Sequence, residues 1–241
     1  MKIAVISDIH ANMEAFTAVL EDIDRTAVDD LICLGDAIGY GPEPDAVVRL
    51  LRHREIASVV GNHDLAAIEP HYLHWFNPPA RVSLKQSIAA LSQPSIEYIR
   101  GFRRYMVRHG CRFVHGFPPA SPILYQFAVQ AKRITSAFRQ AVEPVCFTGH
   151  THELEIITWD GATWARAPLE QGVTTLETGK KYIVNIGSVG QPRDGNNSAK
   201  YVIWMPDSHR LELRFVPYDV ESVVKKILAA GLPAAHAYRL R

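Results

Sequence analysis

Five short stretches carry side chains able to hold a metal ion: Asp8-Ile9-His10, Gly35-Asp36, Gly61-Asn62-His63-Asp64, His115-Gly116 and Gly149-His150-Thr151-His152. Each follows an apolar strand-like run, and loops at strand ends are where a rigid scaffold presents chemistry. Taken alone, Gly61-Asn62 reads as a turn, and a solitary histidine at a strand end reads as structural or solvated. Together the five read as one site. Asp8, His10, Asp36, Asn62, His115, His150 and His152 supply seven nitrogen or oxygen donors. That is too many for one tetrahedral ion and suits two divalent ions sharing a carboxylate. Alternate residues of an extended loop point the same way, which pairs His150 with His152. Two ions about 3.5–4 Å apart activate a water between them and clamp both oxygens of an in-line displacement at phosphorus. His63, beside Asn62 but not needed as a ligand, is placed to protonate the leaving alkoxide.

The intervening sequence predicts the scaffold. Residues 3–6 are a continuous apolar run, the mark of a strand covered on both faces. Asn12 caps a helix in which Met13, Phe16, Val19, Leu20 and Ile23 keep helical spacing. A strand over 31–34, a helix over 45–53 and a strand ending at Gly61 complete a β-α-β-α-β pattern, that of a mostly parallel sheet. Residues 65–103 read as helical, punctuated by Pro78-Pro79 and Pro94. A strand over 111–115, a helix over 129–141 and a strand over 145–148 follow. After residue 153 shorter strands, over 154–159, 162–167, 181–187, 200–206 and 209–217, predict an antiparallel second sheet. A helix over 220–230 closes the chain. No linker divides it, so the expectation is a single domain over 1–241, with two sheets packed face to face and helices outside both.

Composition narrows the partners. A hydrophobic fraction of 47% and a charged fraction of 21% are those of a folded globular protein. A net charge of +1 provides no global field for long nucleic acid or an anionic membrane, so an anionic substrate must be held locally. No apolar run approaches the roughly 18 residues that cross a bilayer. Met1-Lys2 leads straight into a strand, leaving no room for a signal peptide. Cys33, Cys111 and Cys146 form no CxxC and read as reduced core residues of a cytoplasmic protein.

In this order, D-x-H, GD, GNHD, H and GHxH resemble the motifs of the calcineurin-like metallophosphoesterase superfamily. The late segment Gly187-Ser188-Val189-Gly190-Gln191-Pro192-Arg193 resembles its small bacterial and archaeal phosphodiesterase branch. The resemblance implies a mixed α/β fold, a four-layer αββα sandwich of two mixed sheets, with the site where the two sheets' loops meet. It implies that Asp8, His10 and His152 hold one metal, that Asn62, His115 and His150 hold the other, and that Asp36 bridges them. A hydroxide bridging the metals is then the nucleophile, and His63 the general acid or transition-state stabiliser. Manganese is the first expectation for the two ions, with iron, zinc, nickel or cobalt as alternatives.

Two departures bear on substrate. The protein phosphatases of the superfamily resemble G-D-x-V-D-R-G at the second motif, where this chain has Gly39 and Tyr40 in place of the aspartate and the arginine. They also carry an arginine soon after GNHE, whereas Asp64 is followed by Leu65-Ala66-Ala67. A phosphomonoester dianion needs such bidentate clamps more than a diester monoanion does. The expectation is therefore a phosphodiesterase acting on a small ester or nucleotide. The alternatives are a phosphomonoesterase or protein phosphatase, a diadenosine-polyphosphate hydrolase, or a non-catalytic scaffold of the same fold. Retention of all the ligands and His63 favours an enzyme. Arg193 and Tyr40 are candidate substrate contacts. The aromatic segment 71–76 reads as a cap on which a base or aryl leaving group stacks, or as helix core or a subunit contact. His53, His109, His209 and His236 read as surface residues.

Overall fold

The computed structural model describes all of residues 1–241. Its first strand shows why the opening apolar run has no polar alternation. In β1 (Ile3–Ile6), Ile3 and Val5 enter one hydrophobic core while Ala4 and Ile6 enter another on the opposite face. Helix α1 (Met13–Thr26) follows, and Asn12 caps it by accepting a hydrogen bond from the Ala15 N–H at 3.0 Å. Next come β2 (Asp30–Cys33), α2 (Pro44–His53), a short β3 (Ala57–Ser58) and α3 (Asn62–Ile68). A 3₁₀ turn over Pro70–Trp75, α4 (Pro78–Ala89) and α5 (Gln93–Arg100) fill the predicted helical region, with the prolines at the first turns of α4 and α5. Then follow β4 (Met106–Arg108), β5 (Cys111–Phe113), α6 (Ala131–Gln140), β6 (Val145–Thr148), β7 (Leu154–Trp159), β8 (Trp164–Pro168) and β9 (Gly172–Thr175). The chain ends with β10 (Lys181–Ile186), β11 (Ala199–Met205), β12 (Arg210–Val216), α7 (Val220–Ala229) and α8 (Ala234–Tyr238).

The strands form two six-stranded mixed sheets, ordered β3-β2-β1-β11-β12-β9 and β4-β5-β6-β10-β7-β8. One core, with Val5, Phe113, Phe147, Val184 and Trp204, lies between the sheets. A second packs α1 and α2 on the outer face of the first sheet, and a third packs Ile134 and Phe138 of α6 on the outer face of the second. This is the expected αββα sandwich. No helix is long and apolar enough to cross a membrane.

The strands after residue 153 do not make one antiparallel sheet. β7, β8 and β10 join the second sheet, whereas β9, β11 and β12 join the first. β10 pairs parallel with β6 on one side and antiparallel with β7 on the other, and β11 runs antiparallel to β1. Apolar patterning reports that a strand is buried, but not which neighbour it pairs with. β4 and β9 were not expected; both are short and line sheet edges. Nor does α7 close the chain, because α8 turns back over the site.

Candidate metal centre

β1, β2 and β3 run parallel, as do β5 and β6, so the loops leaving their carboxyl ends gather at one edge of the sandwich. There Asp8, His10, Asp36, Asn62, His115, His150 and His152 come together, all buried. Asp8 Oδ1 lies 3.2 Å from His152 Nε2 and 3.6 Å from His10 Nε2. Asp36 Oδ2 lies 3.7 Å from His10 Nε2 and 3.4 Å from His115 Nε2, between the two groups of donors. His115 Nε2 lies 3.1 Å from Asn62 Oδ1 and 3.2 Å from His150 Nδ1. Asp8, His10 and His152 make one set able to hold an ion, and Asp36, His115 and His150 another.

The loops are held in strained shapes. Asp8, His10, Asp36, His150 and His152 all have positive φ, between 50° and 70°. For residues with a Cβ this left-handed region costs about 1–2 kcal/mol each, and such strain collects at functional sites. Backbone bonds between loops sustain it: the Asp8 N–H donates to Gly35 O at 3.0 Å and the His10 N–H to Asp36 O at 2.9 Å. The late segment adds a brace, with Ser188 Oγ donating to Asp8 O at 2.9 Å and Asn12 Nδ2 to Gly190 O at 2.9 Å. Gly149 is required by closeness, because a Cβ there would stand 2.4 Å from Asp8 Oδ2.

The donor chemistry fits divalent cations. His10 donates through Nδ1 to Ile38 O at 3.0 Å, His115 to Leu34 O at 2.9 Å and His152 to Gln191 O at 2.6 Å. A backbone carbonyl on Nδ1 orients each ring so that Nε2 faces inward, the atom that ligates when the imidazole is neutral. The Nε2 atoms of His10 and His152 thus face each other at 3.0 Å. Asp8 Oδ1 and His150 Nε2 are buried with no hydrogen-bond partner. Burial opposes charge throughout, yet the Asp36 and Asp8 carboxylates push the His115 imidazole up to about 9. Burial likewise disfavours ionised Asp8, but the neighbouring imidazoles hold it well below the usual carboxylate range. The cluster attracts positive charge, as a metal site must.

His63 lies beside this cluster, with its Nε2 3.9 Å from Asp36 Oδ2 and its backbone N–H donating to Asp36 Oδ1 at 2.8 Å. Its ring packs 4.7 Å from Tyr40 and 4.7 Å from Phe76, centroid to centroid, and burial lowers its pKa. Gly39 has a positive reason to be glycine. Its φ is +91°, and a Cβ would meet His63 Nδ1 at 2.1 Å, so no aspartate fits there with His63 in this position. Asp64, whose role the motif alone does not reveal, accepts from the N–H groups of Asp36, Ala37 and Gly61 and so ties the β2 loop to the start of α3. Burial and the Asp36 charge push its carboxyl up to about 7.

A family model described as the calcineurin-like phosphoesterase superfamily domain matches residues 1–208. The chain belongs to that superfamily. Its metallophosphoesterase fold is shared with a crystal structure of a metallophosphoesterase from Sphaerobacter thermophilus, 37% identical, with a TM-score of 0.85, covering 100% of this chain and 98% of that one. An uncharacterized protein of Methanocaldococcus jannaschii is 32% identical over 96% of this chain and 93% of its own length. A hypothetical protein of Pyrococcus horikoshii shares the fold, with a TM-score of 0.80 at 18% identity over 99% of this chain and 97% of that one.

Around the centre the metallophosphoesterase fold brings further residues. Tyr40 packs edge-on to His10, with centroids 4.6 Å apart, and Tyr125 stacks on His150 at 3.8 Å. Arg193 lines a cavity of about 720 Å³ that also touches Tyr40 and Tyr125. In the aromatic segment no residue of the 3₁₀ turn is fully buried; half-buried Phe76 packs on His63, while Trp75 is exposed and lines a smaller cavity. His71 and His74 stay outside the cluster and are exposed. His53 and His209 are exposed as expected and His109 is half-buried on Asp30, but His236 is buried, its ring 4.8 Å from Tyr40. Neither His236 nor Tyr125 belongs to a motif or follows a strand, so no sequence signal marks either one.

Proposed function

We propose that this chain is a dimetal-dependent phosphodiesterase acting on small diesters or nucleotides, a single metallophosphoesterase domain over 1–241 working in the cytoplasm. Asp8, His10 and His152 hold one ion, Asn62, His115 and His150 the other, and Asp36 lies between them. Two divalent ions, manganese first among them, activate water and neutralise charge on the phosphoryl oxygens when bound. The chain's own residues supply the rest. The carbonyls of Ile38, Leu34 and Gln191 hold three imidazoles in the ligating tautomer. His63, against Asp36, presents its ring N–H to the oxygen that leaves phosphorus. The attacking water oxygen forms a new P–O bond, the opposite P–O bond breaks, and its electron pair departs with that oxygen, which takes a proton.

The observation that carries this reading is the inward convergence of donors from five loops, with the Nε2 atoms of His10 and His152 facing each other 3.0 Å apart. The diester preference draws support from Gly39, which leaves no space for the aspartate of the phosphatase motif. To test it, the protein is stripped with a chelator and reloaded with Mn²⁺. Bound metal is counted, and hydrolysis of bis-p-nitrophenyl phosphate is compared with that of p-nitrophenyl phosphate. Two ions per chain and a clear diester preference are expected. Preference for the monoester refutes the diester reading, and absence of turnover with two ions bound favours the scaffold.

A further inference from the structure

The family model ends at residue 208, and the chain beyond it returns to the site. α7 and α8 pack around Val223, Ile227, Ala237 and Leu240. That packing sets His236 against Tyr40 and puts Arg239 on the wall of the 720 Å³ cavity, which Arg193 also lines from the late loop. Tyr40, Arg193 and Arg239 line that one cavity together. Neither arginine is paired with a carboxylate: Arg193 reaches only the Gln191 side-chain oxygen, at 3.3 Å, while Asp194 is taken by Lys200 and Glu221 by Arg241.

The other side of the centre has the opposite character. A cavity of about 220 Å³, lined by Tyr72, Trp75, Phe76 and Ile123, reaches Asn62 and His150. Tyr40, Asn77 and Tyr125 line both cavities. The aromatic cavity touches the candidate ligands Asn62 and His150, and the cationic cavity adjoins the centre through Tyr40, which packs on His10, and Tyr125, which stacks on His150. An aromatic pocket takes a planar ring, and paired guanidinium groups take the oxygens of a phosphate bidentately.

We infer that Arg193 and Arg239 form a subsite for a second phosphate group. The substrate class is then a nucleotide bearing a phosphate beyond the one at the metals, with its base in the aromatic compartment. This rests on the phosphoesterase reading above for which phosphorus reacts, but the subsite itself needs no turnover. The probes are the methylene analogue of ADP, in which a P–C–P bridge blocks hydrolysis, and AMP. Their binding to the full chain is measured by titration calorimetry, Mn²⁺-loaded and after chelation.

The analogue should bind wild type at least tenfold more tightly than AMP. Arg239→Ala and Arg193→Ala should each bring that ratio to within threefold, and Arg239→Lys should retain part of it. A wild-type ratio near one, a ratio unmoved in Arg239→Ala, or no binding of either probe overturns the subsite. Hydrolysis of bis-p-nitrophenyl phosphate by the same wild-type preparation separates the two claims. Absent turnover with an arginine-dependent ratio sinks the catalytic reading alone; normal turnover with an arginine-independent ratio sinks the subsite alone.

Discussion

Asp64→Asn tests whether the site is held together by the link between the β2 loop and α3. Asp64 Oδ2 accepts the N–H of Asp36 at 2.7 Å and of Gly61 at 3.1 Å, and Oδ1 accepts the N–H of Ala37 at 3.0 Å. An amide has one acceptor oxygen. Whichever way it turns, at least one of these N–H groups then faces an NH₂ in a fully buried position. A buried donor left unmet costs about 1–3 kcal/mol, and the lost hydrogen bond adds about 1. The expected destabilisation is therefore about 2–4 kcal/mol, read from urea unfolding of the chelated protein. The two N–H groups in the β2 loop are those of Asp36 and its neighbour Ala37, so the Asp36 carboxylate should shift with them. Residues that orient ligands in this way typically change metal affinity about 10–100-fold, and a Mn²⁺ titration should show a loss in that range. A variant within about 0.5 kcal/mol of wild type and within twofold in Mn²⁺ affinity would refute the reasoning.

Three other outcomes follow from the same geometry. His63→Ala should keep both metals and lose about 10²–10⁴ in turnover of bis-p-nitrophenyl phosphate, while Asp36→Ala should lose metal and activity together; wild-type turnover in His63→Ala would remove its role. Mn²⁺ at a hundredfold its dissociation constant should raise the unfolding free energy by about 2.7 kcal/mol per site, and an unfolding midpoint that ignores Mn²⁺ would argue against a metal centre. Asp45 accepts hydrogen bonds from Ser92 and Ser95 and, although burial opposes it, its pKa is lowered from the ordinary 3.8. A lowered folded-state pKa gives stability that is present above the unfolded value and lost as pH falls through the folded one. The urea midpoint of Asp45→Asn should therefore lie below wild type at pH 6 and approach it below pH 3.8; a gap of constant size at both would contradict the assignment.

Much of the centre was legible because its chemistry is local. Asp, Asn and His are residue types able to ligate a metal, and a loop leaving a buried strand is short, so the candidate ligands Asp8, Asp36, Asn62, His115, His150 and His152 each sit beside the apolar run that delivers them. The gathering of those strand ends was legible too, since the β-α-β-α-β pattern implies parallel strands whose carboxyl ends share one edge. Burial on both faces of β1 followed from its unbroken apolar run.

What sequence alone could not decide depends on contacts distant along the chain. Pairing of β10 with both β6 and β7, and of β11 with β1, is a choice among buried strands that look alike in pattern. Gly39 reads in sequence only as a missing aspartate; in the fold it is the one residue type that leaves space for His63. His236 and Arg239 carry no motif, and only the packing of α8 on α7 brings them to Tyr40 and the cavity wall. The candidate ligands were thus legible from residue type and strand-end position, which are local properties. The pocket that surrounds them was decided by tertiary packing, because its walls come from segments up to two hundred residues apart.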